Sequence, residues 1–189
     1  MTTLEVLVKL RAADPWSFTV LDTLVRKGKL LDVVAVTRLK SWRLDFEATA
    51  QVALATTRKL LAETALLANP NRDTWLLLGS LGQGAMGTLW KAHGNATEAF
   101  AIRVSDHEDL LGRSLAKVLR GRLGLSEVVD VHFASVWLLE LRGSGPGARA
   151  LAEEIAVASS WRKGLLSNPH FQAAEVAKVE TYFHGSEVT

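Results

Sequence analysis

The order of apolar and polar positions predicts alternating strands and helices, written out twice. Leu4, Val6, Val8 and Leu10 alternate with Glu5, Leu7 and Lys9, a strand pattern. Asp14-Pro15 then marks a helix start, because an Asp side chain accepts from free N–H groups and Pro fits the first helical position. Phe18, Leu21, Leu24 and Val25 form the apolar stripe of that helix, and Gly28 is placed to end it. Leu31–Val36 and Trp42–Phe46 are β-rich runs that predict a hairpin turning at residues 37–41. Residues 48–68 follow as a helix, stopped by Asn69-Pro70, and Thr74–Leu78 as a short strand.

The same order restarts after a glycine-rich stretch. Phe100, Ile102 and Val104 alternate; residues 110–120 are helical; Val128–Val131 and Trp137–Leu141 are strand runs. Leu151, Ile155, Ala158 and Leu165 stripe a second long helix, and Ala173–Val179 is a weaker last strand. The two passes align with Val33, Val34, Val36, Trp42 and Leu44 over Val128, Val129, Val131, Trp137 and Leu139. Both close on Leu-Leu, a small residue and Asn-Pro, at Leu66–Pro70 and Leu165–Pro169, and differ mainly in the longer loop Arg142–Ala148 of the second. A unit repeated at this length sets the fold expectation. The chain is expected to be α+β, with two tandem ferredoxin-like units of strand-helix-strand-strand-helix-strand order packed as a pseudo-dimer. The first would span 1–78 and the second 99–189, with a joint at 79–98. Each unit would cover the sheet face that the other leaves bare.

Composition narrows the partners. A net charge of +2 with basic residues scattered among acids gives no stripe for nucleic acid. No cysteine is present, which removes disulfides and thiolate chemistry. No leader pattern or apolar run of about 18 residues is seen, so no membrane role and a cytoplasmic location are expected.

Asp14-Pro15, the block Asp32–Phe46 and the closing Leu66–Pro70 resemble the PurS subunit of phosphoribosylformylglycinamidine synthase, and Glu127–Leu141 through Pro169 resembles it again. The resemblance implies a fused PurS dimer, without catalytic activity of its own or a cofactor. It also implies a bridging role in purine biosynthesis, between a glutaminase subunit that releases ammonia and a synthetase subunit that uses it. Further homo-oligomerisation is open. The chain departs from the family pattern at Ser17, where glycine is usual, at Arg38–Ser41, which lacks the hairpin glycine, and at Asp106–Asp109, which replaces Asp-Pro.

One motif argues for different chemistry. Gly82-Gln83-Gly84-Ala85-Met86-Gly87 is a GxGxxG run after a predicted strand, with Asp106 at the end of the next strand where a ribose-binding acid is expected. Gly82, Gly84, Gly87 and Asp106 are therefore the candidate residues of an alternative, nucleotide-binding reading. A joint between units accounts for the same glycines, and the helix following them could hold little more than two turns before Gly94-Asn95. The five histidines show no metal-binding helical spacing. Asp106–Asp109 fits the cap of a helix better than a cation site, and no metal is expected. Trp42 and Trp137 read as packing residues; Trp16 and Trp161, on predicted helices, would be partner anchors where exposed.

Overall fold

The computed structural model describes residues 1–78, 89–94, 96–157 and 165–184. It is an α+β protein with the strands β1 (Thr2–Leu10), β2 (Val33–Phe46), β3 (Asp73–Leu78), β4 (Glu98–Asp106), β5 (Val128–Leu141) and β6 (Gln172–Lys178). The helices are α1 (Pro15–Asp22), α2 (Ala50–Glu63), α3 (Leu110–Gly121), α4 (Pro146–Ala156) and α5 (Val179–His184), and a π-helical turn, Thr23–Lys27, extends α1. The strands form a six-stranded antiparallel sheet in the order β3-β1-β2-β5-β4-β6. No helix among the described residues is long and apolar enough to cross a membrane.

The expected hairpins are absent: β2 runs unbroken for 14 residues, and so does β5. The reason is local. Thr37–Ser41 offers no glycine, Asn or Asp to supply the positive φ of a tight turn. Leu39 and Ser41 are also fully buried, so burial continues through the stretch that was expected to loop out. Each pass of the sequence is therefore strand-helix-long strand-helix-strand.

The long strands change which residues make a compact unit. The first unit comprises Met1–Ala12, Lys40–Leu89 and Glu108–Ala134; the second comprises Ala13–Leu39, Trp90–His107 and Ser135–Thr189. These are not the blocks 1–78 and 99–189 expected from the repeat, because each unit takes one half of β2 and one half of β5. Each also draws its two main helices from different passes. The architecture of either unit, strands with helices packed on them, is compatible with a ferredoxin-like unit.

In the first unit β1 pairs with β3, from Glu5 opposite Leu78 to Leu10 opposite Asp73. On its other edge it pairs with β2, from Thr2 opposite Phe46 to Val8 opposite Lys40. Leu4, Val6, Val8, Leu44 and Phe46 meet Ala53, Leu60 and Leu61 of α2 and Leu115, Ala116 and Leu119 of α3 in one core. Helix α2 ends at Glu63 and not at residue 68: the Thr64 hydroxyl donates to the Leu60 carbonyl (2.6 Å), and Leu67 and Ala68 are buried beyond the helix.

In the second unit β4 pairs with β5, from Glu98 opposite Leu141 to Val104 opposite Ser135, and with β6, from Phe100 opposite Lys178 to Asp106 opposite Gln172. Phe100, Ile102, Trp137, Leu139 and Leu141 pack with Val20 and Leu24 of the α1 segment and with Ala152, Ile155 and Ala156 of α4. The second long helix stops at Ala156. Val157 is already extended and bridges Ser167, so Leu165 is not on the helical stripe, and Ala158 lies outside the described residues.

Two glycines are fixed by close approach. A Cβ on Gly28 would stand 2.6 Å from the Leu24 carbonyl oxygen, and one on Gly112 would stand 2.2 Å from that of Val131. The Gly112 contact joins α3 to backbone of β5, which cannot step aside without breaking the strand. Gly112→Ala is expected to lower the unfolding free energy by about 2 kcal/mol or more, measured by urea denaturation; an unchanged midpoint would show that the helix shifts freely.

Candidate functional site

Helices α1 and α3 begin alike, each with an Asp cap that also holds a long strand. Asp14 accepts from the N–H groups of Trp16 and Ser17, both at 3.2 Å, and Pro15 takes the first helical position as its sequence predicts. The Ser17 hydroxyl donates to Asp14 Oδ2 (2.8 Å) and accepts from the N–H of Arg38 on β2 (2.9 Å). In the other unit Asp109 accepts from the N–H of Gly112 (2.9 Å) and, directly, from that of Phe133 on β5 (3.0 Å). The hydroxyl of Ser17 thus bridges a gap that the bare Cα of Gly112 closes. Asp109 adopts a φ of 38°, which Asp tolerates better than most residues.

The side chains beside these caps differ. In the first unit Trp42 packs on Phe133, with ring centroids 4.7 Å apart, and donates its indole N–H to the Leu67 carbonyl (3.0 Å). In the second unit Trp137, which aligns with Trp42, faces Arg38 instead. The guanidinium carbon lies 5.5 Å from the Trp137 ring centroid and 5.8 Å from that of Trp16. Arg38 Nη2 donates to the Ser135 hydroxyl (3.3 Å), while Nε is buried with no hydrogen-bond partner. Trp42 and Trp137 are packing residues, as their sequence positions suggested. Trp16 is 63% exposed.

Two acids missed in the sequence are buried in the strands. Glu140 is fully buried; it accepts from the indole N–H of Trp90 (2.9 Å) and the backbone N–H of His93 (2.7 Å), and His93 Nδ1 lies 3.2 Å from both its oxygens. Asp45, three residues after Trp42 as Glu140 is after Trp137, accepts from Thr3 Oγ1 (2.6 Å) and lies 3.6 Å from Arg43 Nε. His132 Nε2 is 3.4 Å from Asp45 Oδ2, and its Nδ1 is 3.6 Å from Asp109 Oδ2. A signal was present for Glu140, which interrupts the apolar run at 136–141, since a buried carboxylate demands donors nearby; Asp45 lies in an alternating stretch and gave none.

The residues of the nucleotide reading are not brought together among the described residues. Gly82, Gly84 and Gly87 lie outside them, as does Trp161. Asp106 is exposed at the end of β4, where its Oδ1 accepts from Gln172 Nε2 (2.8 Å). Of the polar cluster at 106–109, only Asp109 caps α3. No group of three or more His, Cys, Asp or Glu residues able to hold a metal is present among the described residues.

No protein-family model matches this chain, and no curated protein matches it. The functional reading therefore rests on the residues themselves.

One further polar contact sets a pH response. Glu98 forms an ion pair with Lys178, and the Lys178 hydrogen bond is the main influence holding the Glu98 carboxyl below its ordinary range. Burial opposes this, and the N–H of Gly145 (2.9 Å) adds to it. Because the folded state favours the carboxylate, this stabilisation is present above the unfolded-chain value and is lost as pH falls through the lowered one. Lys178→Met should be less stable than wild type near neutral pH, with the gap closing in acid; denaturant titrations at several pH values check this, and a pH-independent gap would contradict it. Glu140→Ala should cost about 2 kcal/mol, since it strands the donors of Trp90 and His93. Thermal unfolding measures it, and red-shifted Trp90 emission should accompany it.

Proposed function

We propose that the chain is a non-catalytic docking subunit of an enzyme complex: a tandem duplication of a PurS-like unit that forms an intramolecular pseudo-dimer and bridges other proteins. The observation that carries this reading is where the large apolar side chains stay exposed. On α1, Trp16 is 63% exposed and Phe18 70%; on α3, Leu110 is 67% exposed and Leu111 53%. Trp16 and Leu111 hold the same position relative to the Asp cap of their helices. Each helix already buries a face in its own core, through Val20 on α1 and Leu115, Ala116 and Leu119 on α3. The exposed residues are thus additional to the folding requirement, and adjacent exposed apolar residues suit protein contact. Trp in particular is enriched in binding hot spots.

The recurrence supports the duplication. Asp14 and Asp109, Trp42 and Trp137, and Asp45 and Glu140 are separated by the same number of residues and hold corresponding places on their strands and helices. A duplicated chain carries two related docking spots at an effective concentration on the order of millimolar for one another's partners. The resemblance to PurS makes the partners a glutaminase subunit and a synthetase subunit, joined for ammonia transfer in purine biosynthesis.

Co-purification with each of those subunits tests the reading. Binding to at least one is expected, and the double substitution Trp16→Ala, Phe18→Ala or Leu110→Ser, Leu111→Ser should weaken one partner at least about tenfold while leaving the unfolding midpoint nearly unchanged. Absence of binding to both subunits would remove the purine role.

A further inference from the structure

Arg38 presents a cation that the fold neither requires nor neutralises. The corresponding position of the other unit, four residues before Trp137 as Arg38 is before Trp42, holds Phe133, whose ring packs against that of Trp42. An aromatic ring thus suffices to fill this place. In the second unit the place holds a guanidinium between Trp16 and Trp137, and no carboxylate among the described residues comes within ion-pair distance of it. Asp14, joined to the Arg38 backbone through Ser17, is engaged with the N–H groups of Trp16 and Ser17 and with the Ser17 hydroxyl. One guanidinium nitrogen is bonded to Ser135, and the buried Nε has no acceptor.

A half-buried guanidinium with one neutral acceptor and an unpartnered Nε is incompletely satisfied, and an Arg beside aromatic rings is a strong receptor for a planar, two-oxygen anion. The rings also hold the side chain in place, so little rotamer freedom is lost when an anion arrives. We propose that Arg38, with Trp16 and Trp137, forms a carboxylate-binding site, occupied by an acidic side chain of the protein that docks on α1. A carboxylate would meet the guanidinium edge, while the apolar body carrying it lies along the exposed indole of Trp16. Charge complementarity selects this occupant: an unneutralised cation between Trp16 and Trp137, with Trp16 exposed, fits an acidic residue with apolar neighbours and disfavours a basic surface. The source of the carboxylate rests on the docking reading above; the site itself does not.

Benzoate is the probe for the isolated chain, with benzamide as the uncharged match and inorganic phosphate as a second anion. Tryptophan emission should change saturably with benzoate and not with benzamide. Arg38→Met should abolish the response, and Trp16→Ala, a change at an exposed position, should weaken it several-fold without altering the unfolding midpoint. No saturable response, equal responses to benzoate and benzamide, tighter binding of phosphate than of benzoate, or an undiminished response in Arg38→Met would each overturn the site. With a glutaminase or synthetase subunit that binds wild type, Arg38→Met should weaken association about tenfold and flatten its salt dependence. If that variant binds as wild type while Trp16→Ala, Phe18→Ala does not, the docking reading stands and the carboxylate contact is refuted. If neither subunit binds wild type but benzoate binds through Arg38, the site stands and the docking reading fails.

Discussion

A carboxylate that caps a helix and holds the adjoining long strand is the constraint from which the rest of each unit follows. Asp109 does both directly, accepting from Gly112 at the start of α3 and from Phe133 on β5. Asp14 does it through one intervening hydroxyl, that of Ser17. Because the cap fixes the first turn, it fixes what that turn displays: Trp16 beside Arg38 in one unit, Leu110 and Leu111 in the other. The free N–H groups of a helix start must be satisfied in any case. Here the same carboxylate satisfies the helix start and ties it to the sheet.

That distance is decided by a single atom. With glycine at 112, the α3 backbone approaches β5 so closely that even a methyl group would collide with the Val131 carbonyl. With serine at 17, the helix and strand are joined by an inserted hydroxyl that both donates and accepts. The two loci share an Asp cap and differ at this position, and the one with serine carries the charged residue. Beside α1 a guanidinium lies between two indoles, where the glycine locus has two aromatic rings in contact.

Much of this was legible in the sequence. Asp14-Pro15 gave the α1 start within its first residue, the alternation of Leu4, Val6 and Val8 gave β1, and Phe100, Ile102 and Val104 gave β4. The pairing of Trp42 with Trp137 pointed to equivalent packing positions. What failed was the reading of residues 37–41 as a turn: two β-rich runs flanking a polar stretch suggest a hairpin, yet nothing in that stretch supplies turn chemistry. That misreading hid Arg38, placed in a supposed loop although it sits mid-strand. It also moved the unit boundaries, since a continuous strand can serve two units where a hairpin serves one. Glu140 and Asp45 escaped notice because periodicity marks polar residues as exposed, and only the fold shows which donors surround them.

The stretch between the two passes makes the same point with the opposite sign. Glycines and a polar run at 79–98 suggested a joint, and joints are expected to be solvated. In the structure its latter part is built into the fold: Leu89 and Trp90 are buried, and the carbonyl of Leu89 accepts from Lys9 Nζ at 3.0 Å. The indole N–H of Trp90 bonds a carboxylate that has no solvent exposure of its own, and the backbone N–H of His93 bonds the other oxygen of the same group. A buried carboxylate is tolerable only when its lone pairs are met, so Glu140 imposes a position on the segment that meets them. The chain therefore reaches β4 from a fixed point, and the polar character that made this segment look like a linker is the means by which it is held.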